Sequence, residues 1–202
     1  MSEIRPTILL VGWFCCMGLL AGCGGGDGGG GPTDTAESLT ADGWALYEAD
    51  DYGGAVGKFR AAIDLDANYA DAYNGLGWSF GKMDSLQQSV DNFVHCIAKG
   101  MTTADPYAGR APAYRDLGAG KYGHAITVAD TALVKSASYA FSHRTSFDYR
   151  DLRVIKAQCH FQLKEYAQAV AEINALDGNT VDPNDPEAIA AEIERLGDLY
   201  GG

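Results

Sequence analysis

The chain has 202 residues, 47% of them hydrophobic, and a net charge of −12 at pH 7. That is enough for one domain of ordinary size or a short solenoid, and no second domain is required. So acidic a chain is repelled by nucleic acid and by anionic headgroups, which excludes charge-driven binding to either; membrane attachment has to come from another source.

Arg5 precedes an apolar run over residues 8–20, and the run closes on Leu20, Ala21, Gly22 and Cys23. It is shorter than the roughly 20 residues of a spanning helix, so a secretory signal over residues 1–22 is the better reading. The ending resembles a bacterial lipobox. That resemblance implies cleavage before Cys23, a diacylglycerol on its sulfur and, as a rule, acylation of the new amino group. An ordinary signal peptide, with Cys23 a chance neighbour of the cut, is the alternative, and Cys15 and Cys16 are unusual in such a run. Loss of residues 1–22 removes Glu3 and Arg5 together, so the net charge stays at −12. Gly24 is neutral where an aspartate retains some relatives at the inner membrane. The expected location is therefore the bacterial cell envelope, at the outer membrane and facing the periplasm.

Residues 24–31 are glycine, interrupted by Asp27, and Pro32 follows. Such a segment buries no apolar surface and reads, over 23–35, as a flexible tether with a reach of about 20 Å. It also spells G-x-G-x-x-G, but a phosphate loop needs a strand before it and a helix directly after it. Here an export signal precedes it.

From residue 36 the chain repeats. Residues 70–103 carry Tyr73, Leu76, Gly77 and Phe80, then Leu86, Ser89, Phe93 and Cys96. Thirty-four residues earlier, over 36–69, Gly43, Trp44, Leu46, Tyr52, Ala55, Phe59 and Ala62 stand in the places of Gly77, Trp78, Phe80, Leu86, Ser89, Phe93 and Cys96. Small residues recur where two helix backbones must cross closely. This spacing resembles the tetratricopeptide repeat (TPR), and the resemblance implies an all-α solenoid of helix-turn-helix units.

A third unit, about 106–139, has Pro106 and Pro112 in its first helix, which is expected to be short or kinked. Its second helix is marked by Tyr122, Ala125, Ala129 and Ala132, and Ala129 in an aromatic's place predicts a thin joint. A fourth unit, about 150–183, restores the pattern with Ala157, Phe161, Leu163, Tyr166, Ala169, Ile173 and Leu176. A capping helix over 185–200 follows: Asp185 caps it, Pro186 suits its first position, and Ile189, Ile193, Leu196 and Tyr200 form its apolar stripe. The expected array is four repeats plus this cap, over residues 36–202.

Chemical signals are weak. Gly77 to Gly81 spell G-x-S-x-G, but a nucleophile elbow needs a strand-to-helix turn and Ser79 falls mid-helix. Cys96 and Cys159 read as buried thiols. The four histidines show no metal-ligand spacing, and no cofactor is implied.

The TPR resemblance places Thr40, Trp44 and Tyr47, then Asn74, Trp78 and Gly81, then Val154, Gln158 and Phe161 on a concave groove. Trp44 and Trp78 are either exposed anchors for a partner or packed against neighbouring helices. The basic clamp by which chaperone-binding TPR domains hold a C-terminal carboxylate is missing, since Thr40, Asn74, Trp44 and Trp78 occupy its places. An insertion over 136–149 breaks the period. Its Tyr139, Phe141, Phe147 and Tyr149 alternate around His143 and Arg144, which predicts a hairpin turning four aromatics to one face. It is expected to fold over an end of the groove, with Arg144 as an exposed cation; the alternative is a plug for the joint at Ala129. The functional expectation is a lipid-anchored, non-enzymatic protein that presents a groove to an envelope protein or peptide. The alternative is an envelope enzyme or small-ligand carrier with the insertion as its lid.

Overall fold

The computed structural model describes residues 34–200, among which all regular structure is helical. The helices are α1 (Ala36–Glu48), α2 (Tyr52–Leu65), α3 (Ala70–Lys82), α4 (Leu86–Ala98), α5 (Asp105–Asp116), α6 (Tyr122–Lys135), α7 (Tyr149–Gln162), α8 (Tyr166–Asp177) and α9 (Pro186–Tyr200). The first eight form four helix hairpins. The odd-numbered helices α1, α3, α5 and α7 pack on one another in sequence, and each even-numbered helix bridges from its own partner to the next hairpin. That arrangement is a TPR solenoid, with the odd helices on one face. The leader, Cys23 and the glycine-rich stretch as far as residue 33 lie outside the described residues.

The turn inside each hairpin passes through one left-handed residue, at Asp50, Asp84, Gly118 and Lys164, with φ between 57° and 90°. The first two intervals are 34 residues and the last is 46, so the insertion adds 12. Left-handed backbone is unfavourable for lysine and tolerated by aspartate. Its recurrence shows that hairpin geometry, more than local preference, dictates the turn.

Close crossing of helices explains the glycines. A Cβ on Gly43 or Gly75 would come within 2.6 Å or 2.2 Å of the Phe59 ring, and one on Gly77 or Gly109 within 2.6 Å or 2.2 Å of Phe93. Each phenylalanine thus fills a slot between its own odd helix and the next. In the third joint the same register places Ala129 opposite Ala111 and Ile155, and all three are buried. The thin joint expected at Ala129 is therefore corrected: the bulk has moved across to Ile155. Lys156, only 9% exposed at its side chain, adds an ion pair to Asp130 at 2.6 Å and one to Glu172.

The proline-bearing helix also departs from expectation. α5 runs for 12 residues straight through Pro112, little shorter than its neighbours. Pro106 sits in the first turn, where no amide donor is needed, and Pro112 costs the one bond to the carbonyl of Ala108. Cys96 and Cys159 are free and buried; burial pushes their thiols up to about 12 and about 11. Ser79 is buried inside α3, without the turn an elbow would require. At the far end, Asp185 accepts from the Ala188 amide at 3.0 Å. Ile189, Ile193 and Leu196 of α9 then close a cluster with Val154 and Ile173.

Candidate functional site: a concave face covered by its own loop

α6 ends at Lys135 and α7 begins at Tyr149, and the intervening segment returns to the odd-helix face. It is a short hairpin. The amide of Phe141 donates to the carbonyl of Phe147 at 2.9 Å, that of Tyr149 donates to Tyr139 at 2.8 Å, and one antiparallel bridge joins Ala140 to Asp148. Asp148 then caps α7 by accepting from the Arg150 amide at 2.7 Å, while Asp151 accepts from the Asp148 amide at 2.7 Å.

The hairpin lays its rings on α1 and α3. Phe141 stacks on Trp78 with centroids 3.9 Å apart and meets Trp44 and Tyr47 edge-on at 5.9 Å. Phe147 meets Trp78 edge-on at 5.3 Å. His143 lies flat on Trp44 at 3.8 Å and its Nδ1 is 2.7 Å from Glu48. Tyr139 donates its hydroxyl to Asp105 at the start of α5, at 3.0 Å; burial raises both groups above their ordinary pKa values, the tyrosine's beyond the titratable range.

The groove positions are consequently not open. Trp44 and Trp78 are 5% and 6% exposed and Tyr47 is fully buried, which corrects the expectation of exposed aromatic anchors. Asn74 is buried as well, 3.4 Å from Asp71, and Asp71 also accepts from Trp44 Nε1 at 2.9 Å. Gln158 and Phe161, on α7 beyond the hairpin, remain half-buried. Tyr149 is the first residue of α7 and takes no part in the stack on Trp44 and Trp78. Three loop aromatics, not four, share one face.

Arg144 is not a free cation. Its side chain is 28% exposed. Its guanidinium pairs with Asp50, donates to the Tyr52 hydroxyl at 2.8 Å and lies 5.9 Å above the Tyr47 ring. The hydrogen bonds from Tyr52 and Arg144 hold Asp50 below the usual carboxylate range. The rings go to α1 and α3, so the alternative of a plug at Ala129 is also set aside.

Between the hairpin and α3, α5 and α7 lies a cavity of about 440 Å³. Trp78, Phe141 and Phe147 form one wall, and Lys82, Arg115 and Gln158 reach its edge. Arg115 donates to Gln158 at 3.0 Å and to Asp116 at 2.7 Å. Arg115 stands in the register of Tyr47, Gly81 and Phe161, so counting 34 residues from Gly81 finds it. The proline-bearing third unit obscured that position.

No family model matches the chain, and no curated protein matches it. Solved structures of similar fold do. The TPR protein YrrB, described as having an unusual peptide-binding site, is 14% identical over 82% of this chain and 87% of its own, with a TM-score of 0.60. The MamA protein is 14% identical over 82% and 86%, with a TM-score of 0.60. A thermophilic TPR protein of Thermus thermophilus is 19% identical over 82% and 83%, with a TM-score of 0.55. These likenesses establish the TPR solenoid fold.

Proposed function

We propose that this chain is a non-enzymatic TPR protein that binds a protein or peptide partner on its concave face, held to the bacterial envelope by lipid on Cys23. The observation that carries the reading is the division of that face. Over α1 and α3 the hairpin occupies the groove with its own aromatic side chains, while Arg115, Gln158 and Phe161 on α5 and α7 stay reachable. A partner meets the second half of the array first and engages the first half only by displacing the hairpin, a two-stage contact that suits a selective scaffold. The lipobox resemblance and the glycine-rich stretch support attachment with slack, at the outer membrane and facing the periplasm. Stable anchoring needs two or more acyl chains.

Two experiments test the two halves of the proposal. A clickable fatty acid should label the wild type and not Cys23→Ser; label retained by the variant removes the anchor. Affinity purification from detergent-solubilised envelope should return a stoichiometric partner, and repeated recovery of none counts against the scaffold.

A further inference from the structure

The cavity beside the hairpin has an unusual balance of donors and acceptors. Its walls are apolar, from Trp78, Phe141, Phe147, Phe93 and Pro112. Among the residues lining it, Tyr47 Oη, Trp78 Nε1 and Arg144 Nε are buried with no hydrogen-bond partner. The indole and guanidinium nitrogens can only donate, so neither can satisfy the other. Lys82, at the edge, makes no hydrogen bond or ion pair among the described residues. Desolvation by the surrounding protein lowers its pKa, with the nearby Arg144 charge adding to that effect. The two acidic lining residues are engaged: Asp116 with Arg115, and Asp151 with the start of α7. A pocket left short of acceptors and carrying an unpaired cation is the reverse of what a chain of net charge −12 would present by default.

We propose that this cavity is a binding site for a small organic anion, a carboxylate carried on an apolar body. The body would fill the space against Trp78, Phe141 and Phe147, and its volume of about 440 Å³ lies within the range of small-molecule pockets. The carboxylate would accept from Arg144 Nε, Trp78 Nε1 and the Tyr47 hydroxyl and neutralise Lys82. Those three donors are sealed while the hairpin is down, so the anion enters by displacing the hairpin, which a single bridge pins together. Once bound, it joins Arg144 of the hairpin to Tyr47 of α1 and Trp78 of α3. It therefore holds the first half of the groove shut. The site is independent of whether the remaining face captures a protein.

The test is calorimetric titration of the full chain with 4-phenylbutyrate, its amide and the corresponding amine. The acid should bind once per chain, and the uncharged and cationic analogues should bind at least about tenfold more weakly. Trp78→Phe keeps a ring against Phe141 and removes the N–H, and Lys82→Gln alters an exposed side chain that leaves the fold alone; each should weaken the acid by about fivefold or more. Val134→Ala, remote and solvent-facing, should leave it unchanged. Absence of binding by the acid, equal binding of all three probes, or wild-type affinity in both Trp78→Phe and Lys82→Gln would each overturn the proposal. So would binding of a peptide ending in phenylalanine without binding of the free acid.

Discussion

Trp78 on α3 and Phe141 in the hairpin stack face to face, 3.9 Å between centroids and 17° between planes. This contact joins the second repeat to a segment that follows the third. It also places the most buried loop side chain on a position that other TPR arrays can offer to a ligand. Phe141→Ala should cost about 3–5 kcal/mol, the usual loss for a buried phenylalanine. Thermal unfolding should show that loss, and tryptophan emission of the folded variant should move to the red as Trp78 meets water.

The double variant Arg144→Ala, Phe147→Ala should melt several degrees lower than the wild type. Most of the loss belongs to Phe147, which is buried against Trp78; the partner of Arg144, Asp50, sits on the exposed surface, where ion pairs contribute little. Phe147→Ala alone should reproduce nearly the whole shift, as read by calorimetry. An unchanged melting temperature would mean that the hairpin does not rest on α3.

Two glycine substitutions should act in opposite directions. Gly75→Ala drives a Cβ to within 2.2 Å of the Phe59 ring, and overpacking of this kind costs about 1–3 kcal/mol. Gly57→Ala, mid-helix in α2 with nothing near the new methyl, should stabilise by about 0.5–1 kcal/mol through helix propensity. Urea denaturation of the pair measures both.

Acid should release the hairpin. Asp50 has its pKa lowered in the folded state by the hydrogen bonds from Tyr52 and Arg144. Its contribution is therefore complete above the ordinary aspartate value and is lost as pH falls through the lower folded value. Asp50→Asn keeps a residue that tolerates the left-handed turn but removes the charge. Its loop should loosen already at neutral pH, and tryptophan emission should lose part of its acid-dependent step relative to wild type.

Much of the fold was legible because the repeat is a steric rule. Gly43, Gly75, Gly77 and Gly109 are small where Phe59 and Phe93 must enter, and that spacing is written in the letters. The third joint was harder, because exchanging a large residue for a small one at Ala129 becomes visible only when Ile155 is placed opposite it. Least legible was the cover on the groove. Trp44 and Trp78 repeat at 34 residues, and Tyr139, Phe141 and Phe147 alternate in the insertion, yet nothing local states that the two sets bury one another. The match is one of burial: two aromatic surfaces, each too apolar to leave in water, with a connection long enough to bring them together. Asp50 and Glu48, which fix Arg144 and His143, read as turn residues until the hairpin lies over them.

Capture of a partner protein on the concave face beyond the hairpin is the central claim. Site-specific photo-crosslinking in the native envelope tests it most directly, with a photoreactive residue at position 158, 161 or 134. One discrete crosslinked protein is expected from positions 158 and 161 and none from 134, which faces solvent on α6. Crosslinks from 134 alone, or none from 158 and 161 while the chain remains folded, would contradict it.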